Sequence, residues 1–235
     1  MLPVQHFGKM KKYIDKLLAS ELFADFTCEE LQEFFSEHKY TIRSHKKGEE
    51  IYGPGDTIIN AGIILSGQIN VVQITSIGKE EIVVSEFAGE LIGQAFSITG
   101  QHNSFAHFQV ASNADILYLN LHSVLLSPSD KSYYRKFINN ITKILANTNI
   151  QLNKKIQLLT QKTLREKLLT YFSQTAALNG CLTFTMNFTR EQLAAYVCSE
   201  RSSVCRELGR MQDEGLVVIN GNDVTICYDF LLTEQ

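Results

Sequence analysis

The chain has 235 residues, 44% of them hydrophobic and 20% charged, with a formal net charge of −3 at pH 7. That length suits about two globular domains with buried cores. The charge excludes a bulk electrostatic coat for nucleic acid, and no apolar run approaches the ~20 residues needed to span a bilayer.

The segment before Leu17 lacks an apolar core ahead of its charges, so no secretory signal is expected; the chain reads as cytoplasmic, with no membrane partner. The five cysteines (Cys28, Cys181, Cys198, Cys205, Cys227) form no Cys-x-x-Cys pair and no zinc-finger spacing with histidine. They read as reduced thiols, and no metal site is expected. A thiol switch at Cys198 or Cys205 stays open, because both lie on or beside the helix that matters most below.

In chain order, residues up to about Phe35 carry helical stripes. Tyr13, Leu17 and Leu18 form one, and Thr27 stands as a cap before Leu31, Phe34 and Phe35. From Tyr40 to about Leu121 the pattern changes to short β segments between glycine turns. These are Tyr40–Arg43, Lys47–Tyr52, Ile63–Leu65, Ile69–Val72, Ile82–Val84, Phe108–Val110 and Ile116–Leu119, with a turn near Ser76–Lys79. Such spacing predicts an antiparallel roll, barrel or sandwich. Between strands, Phe87 to Phe96 reads as a short glycine-flanked helix. Its glycines fit either tight corners or backbone N–H groups offered to an anion.

From about Ser132 to Leu159 one long helix is expected. Phe137, Ile141, Ile144, Leu145, Thr148, Leu152, Ile156 and Leu159 recur every three or four residues. A narrow apolar seam on a long helix suits dimerisation; packing on its own roll is the alternative. A hinge follows near Thr160–Lys162, then a helix capped by Thr163 and a strand over Leu182–Met186.

Phe188 to Val217 reads as two short amphipathic helices with a tight corner. Leu193 and Val197 share one face, and Val204, Leu208 and Met211 another. Thr189 with Gln192 has capping-box spacing, and Ala194 and Ala195 allow a close crossing. Arg201, Ser202, Cys205, Arg206 and Arg210 project outward, the chemistry that base edges and phosphates require. Gly215 stops the second helix; Leu216–Ile219, Asn220-Gly221 and Val224–Ile226 then read as a hairpin. From Thr160 onward seven basic side chains face nine acidic ones, so a DNA reading rests on where the arginines lie. No paired carboxylates, Ser/His/Asp array or phosphate loop stands out, and catalysis is not expected.

A β-roll, a long central helix and a winged helix, in that order, resemble the cyclic AMP receptor / fumarate–nitrate regulator (Crp/Fnr) family of bacterial transcription regulators. Lys47-Gly48, Ile51 and Gly55-Asp56 look like its first roll motif, and Leu65-x-Gly67-x-Ile69 like its second. Gly89–Gly93 looks like the start of its ligand cassette, and Arg201–Leu208 like its recognition helix. The resemblance covers about Leu22 to Ile226. It implies an α+β fold: an N-terminal cyclic-nucleotide-binding-like β-roll (a double-stranded β-helix), a long central dimerisation helix and a C-terminal winged helix-turn-helix. The expected domains are 1–130 for sensing, 131–160 for the dimer helix and hinge, and 161–235 for DNA.

The resemblance also implies a homodimer on an inverted-repeat operator of double-stranded DNA, with RNA polymerase as a further partner and an unidentified small effector. DNA contacts are expected from Arg190, Ser199, Arg201, Ser202, Ser203, Arg206 and Arg210. The expected effector pocket is Ile92, Gly93, Gln94, Ala95, Phe96, Ser104, Phe105, Ala106, Thr148, Gln151 and Leu152. Cyclic AMP-binding members place a Glu after Ile-Gly and an Arg-Ser pair on the phosphate. Here those positions hold Gln94 and about Phe105-Ala106, and no arginine occurs between Arg43 and Arg135. Cyclic AMP is therefore not the expected effector. No N-terminal cysteine cluster is present for an iron–sulfur centre. Haem would have to use His102, His107 or Cys28 and is not expected. A ligand-binding module without DNA activity, or a haem- or thiol-based sensor of the same fold, remains the alternative.

Overall fold

The computed structural model describes residues 10–74, 80–100, 107–186 and 188–227. The turn expected over Ser76–Lys79, as well as His102, Ser104, Phe105 and Ala106, lies outside the described residues. Two compact units emerge, Met1–Leu145 and Ala146–Gln235.

In the first unit, helices α1 (Ile14–Leu18) and α2 (Cys28–Glu37) precede six antiparallel strands. These are β1 (Tyr40–His45), β2 (Glu50–Tyr52), β3 (Ala61–Ile74), β4 (Glu80–Phe87), β5 (Leu91–Ile92) and β6 (His107–Leu119), with α3 (Gln94–Thr99) between the last two. The order is β1-β6-β3-β4, with β2 also on β6 and β5 on β3. The segments expected separately on either side of Ser66-Gly67 are one bent strand, β3, and Phe108–Val110 joins Ile116–Leu119 in β6. The ladder survives the bend because register slips between Ile64 and Ile69 absorb it. Gly67 sits at that corner with φ 90°, where a Cβ would lie 2.4 Å from the Asn113 carbonyl oxygen, so no other residue fits.

Strand alternation sorts the apolar side chains into two cores. Ile64, Ile116 and Tyr118 fill the inside of the roll with Ile58, Ile69 and Phe108. Ile63, Leu65, Leu117 and Leu119 face the helices, meeting Phe23, Phe34, Phe35, Tyr133 and Phe137. After α4 (Leu121–Leu125), the long helix α5 (Ser132–Leu159) enters this second core. The Phe34 and Phe137 rings stack with centroids 5.2 Å apart. Thr27 and Glu30 form a capping box on α2. The Glu30 carboxylate also accepts from Lys136 at 2.7 Å and Ser132 at 2.5 Å, tying α2 to α5. Buried Asn140 donates to the carbonyls of Leu22 and Ala24 at 3.1 and 2.8 Å.

The single seam expected along α5 divides in two. Phe137, Ile141 and Ile144 are buried in the core of their own roll, and a side chain already buried there is not available to a second copy. This corrects the dimer-helix expectation for those three residues. Farther along, Leu145, Leu152 and Ile156 are 36%, 57% and 58% exposed, and Leu159 packs partly on the core of the second unit.

The second unit continues with α6 (Leu164–Asn179), β7 (Thr183–Thr185), α7 (Arg190–Tyr196), α8 (Arg201–Asp213), β8 (Val217–Asn220) and β9 (Asp223–Ile226). Its sheet runs β7-β9-β8. Thr163 caps α6 through a capping box with Glu166. Asn220 pairs with Asp223, so the hairpin loop is Gly221-Asn222, one residue later than the sequence suggests. Among the described residues no helix is long and apolar enough to cross a membrane.

Candidate nucleic-acid interface and roll cavity

The corner between α7 and α8 is built from one buried set and one exposed set. Leu193, Ala194 and Val197 meet Val204, Leu208 and Met211 in a common core. Thr189 opens α7: its Oγ1 accepts from the Gln192 N–H at 3.2 Å, and Gln192 Oε1 accepts from the Thr189 N–H at 2.8 Å. The chain then reverses at Cys198, whose φ is 52°, a left-handed conformation unusual for a residue with a side chain. The Ser199 N–H donates back to the Ala194 carbonyl at 2.9 Å and closes the turn.

Because Val204, Leu208 and Met211 point inward, Arg201, Ser202, Cys205, Arg206 and Arg210 point out, and all five are exposed; Ser199 and Ser203 are half-buried. Neither Arg201 nor Arg206 makes a hydrogen bond or ion pair among the described residues. Their guanidinium groups keep all five donors for an outside partner. Arg210 and Arg190 differ. Arg210 Nη1 donates to Glu207 at 3.3 Å. Arg190 Nη2 donates to the Gly221 carbonyl at 3.1 Å, which links the start of α7 to the tip of the hairpin.

Three supporting cations were not legible in the sequence pattern. Arg165, on α6, donates through Nε to Glu207 at 2.6 Å and through Nη1 and Nη2 to Glu214, both at 2.7 Å. It holds the Glu214 carboxyl below the usual carboxylate range. Lys155 Nζ lies 3.5 Å from the centre of the Tyr196 ring and donates to the Tyr196 carbonyl, and burial pushes its ammonium pKa down. Lys167 Nζ donates to the Val197 carbonyl at 3.3 Å. Both lysines sit at the carbonyl end of α7, where the helix dipole favours cations. These partners are 30 or more residues apart in sequence, beyond the reach of any local periodicity.

In the roll, Ile92, Gly93, Gln94, Ala95 and Phe96 line a cavity of about 170 Å³ with Glu86 and Phe108. Gly93 has φ 69°, and a Cβ there would come within 2.9 Å of Ile58, so the corner itself requires glycine. Glu86 did not stand out in the sequence. Its carboxyl is pushed up to about 7, first by burial and then by the neighbouring Glu90 carboxyl. The Glu90 carboxylate is itself fixed by the Phe87 N–H at 2.6 Å. Thr148, Gln151 and Leu152 are exposed positions on α5. Of the haem candidates, Cys28 is half-buried. His107 turns Nδ1 to Glu50 and leaves a buried Nε2 without a partner among the described residues.

A Crp-like helix-turn-helix domain matches residues 158–228. Electron transport regulator A of Shewanella oneidensis is 27% identical over 186 residues, covering 77% of this chain and 72% of that protein. The fumarate and nitrate reduction regulatory protein of Vibrio cholerae is 29% identical over 190 residues, covering 77% and 72%. In three dimensions the chain is similar to a CooA mutant from Carboxydothermus hydrogenoformans. That match has a TM-score of 0.61 at 18% identity and covers 91% of this chain and 90% of that one; it speaks to the fold alone.

Proposed function

We propose, because this chain belongs to the Crp/Fnr family of transcription regulators, that it works as a cytoplasmic homodimer on an inverted-repeat operator. Residues 1–130 would sense a small effector, the later half of the 131–160 segment would pair the protomers, and 161–235 would hold DNA. Two copies of α8 would enter successive major grooves about 34 Å apart. Arg201 and Arg206 carry this reading: two exposed arginines without a partner among the described residues, on the face of α8 opposite its buried side. Ser199, Ser202 and Ser203 would add hydroxyl contacts. Arg190 and Arg210 are already engaged within the domain, and they would serve the phosphate backbone more readily than base edges.

The exposed stripe Leu145, Leu152 and Ile156 supports pairing through the later half of α5, where large apolar side chains at helical spacing face solvent in one copy. The effector is not cyclic AMP, since the cassette offers Gln94 and no arginine. RNA polymerase is the expected partner at the promoter. Effector and operator would tighten each other's binding, as linkage requires.

The test is selection of genomic fragments on the purified protein, followed by anisotropy titration of the enriched sequence. Retention of an inverted repeat at least a hundredfold tighter than of scrambled DNA is the expected result, within the usual specificity range of ~10³–10⁷ or just below it. Failure to enrich any sequence would overturn the reading.

A further inference from the structure

The cavity of the roll is lined by an acid and, among the described residues, by no base, which is the wrong polarity for a phosphate ligand. Glu86 contributes a half-buried carboxyl to its wall beside Gln94. Among the described residues no basic side chain lines it. The sequence extends the point: residues 80–130 contain neither Lys nor Arg. Apolar and aromatic walls (Ile92, Phe96, Phe108) complete the cavity. Among the described residues the group that shifts Glu86 is another acid, Glu90, whose carboxylate accepts from the Phe87 N–H. One feature points the other way, the N-terminus of α3 at Gln94. A long helix presents only about half a charge there, and a six-residue helix presents less. Once ionised, the Glu86 carboxylate carries a full charge in a partly desolvated wall and outweighs it.

We propose that the roll cavity binds a small organic cation, an alkylammonium, with Glu86 as its counter-ion and the phenyl rings of Phe96 and Phe108 around its hydrocarbon. This rests on the reading of the roll as the sensing domain, and gives its ligand class. The size agrees: about 170 Å³ is below the ~300–1,000 Å³ of drug-sized pockets and suits a short amine. An acid together with aromatic walls is the chemistry that recognises ammonium groups. Binding needs Glu86 ionised, so the proton that Glu86 holds near neutrality leaves to solvent as the cation enters. Among the described residues Glu90 is the one other titratable group shifting Glu86.

The experiment is isothermal titration calorimetry of the full chain with butylammonium and choline, against their uncharged isosteres n-butanol and neohexanol. Binding of at least one cation, with its isostere tenfold or more weaker, is expected. Affinity should rise as pH is raised through neutrality, and the heat should change with buffer ionisation enthalpy as a proton is released. Glu86→Gln, which keeps the shape, should lose at least tenfold in cation affinity and lose the proton release. Equal binding of cation and isostere, no change in Glu86→Gln, or no binding of either cation would overturn the proposal. Operator retention is measured on the same samples. If DNA is held but no cation binds, only the ligand class fails. If DNA is not held, it is the regulator reading that fails, whatever the calorimetry shows.

Discussion

Arg165 and Glu214 form a fork-to-fork ion pair, with Nη1 and Nη2 each 2.7 Å from a different carboxylate oxygen, while Arg165 Nε reaches Glu207. One guanidinium on α6 therefore grips α8 near its middle and just past its end. The bidentate geometry matters more than the count of charges, because it fixes the angle of the helix as well as its position.

Glu214 is exposed and Arg165 only half-buried, so salt screens the pair. Arg165→Met should lower the thermal midpoint at low ionic strength, and the deficit should shrink as salt rises. A deficit independent of salt would mean that Arg165 acts through packing of its hydrocarbon stem.

Arg206→Ala should weaken binding to the selected operator by about 1–3 kcal/mol, and weaken binding to scrambled DNA much less. Thermal stability should be unchanged, since Arg206 makes no hydrogen bond or ion pair among the described residues. Equal loss on both DNAs would assign Arg206 to a phosphate.

Leu152→Glu places a charge in the exposed stripe of α5, where Leu152 is 57% exposed in a single copy. Sedimentation should then report monomers, and operator affinity should collapse with loss of the second half-site. A dimer that persists would place the protomer contact elsewhere.

Glu86 sets a pH dependence of stability. Its carboxyl is raised from an ordinary 4.5 to about 7 by burial and by Glu90. A carboxyl raised on folding contributes stability that is full below the unfolded value and is lost as pH climbs through the folded one. Glu86→Gln should therefore match the wild type in acid and exceed it above neutrality. The carboxyl is only partly buried, so the gain is on the order of 1 kcal/mol, about 2–4 °C in midpoint. Thermal melts across that range read it directly.

Cys198 holds φ 52° at the corner before α8. Cys198→Gly should relieve that backbone and stabilise the domain by up to about 1 kcal/mol, read as a shift in urea midpoint. A loss of stability would mean that the thiol packs in a way its exposure does not suggest.

Where a structural feature depended on neighbours three or four residues apart, or on strand alternation, the sequence already contained it. The capping boxes at Thr27 and Thr189, the buried faces of α7 and α8, and the exposed Arg201 and Arg206 all follow from local spacing and side-chain type. So does the absence of arginine from the cassette, which is a matter of composition. The tertiary structure decided what distance along the chain hides. Phe137 and Ile141 follow the same helical spacing as Leu152 and Ile156, but only folding onto Phe34 buries the first pair and leaves the second exposed. Arg165 meets its carboxylates across 42 and 49 residues. Glu86 looks like any acid on a strand until the roll closes and takes its carboxyl partly out of water. Periodicity reports which face of an element is apolar; which partner covers that face, and which charge is drawn in with it, is decided by packing.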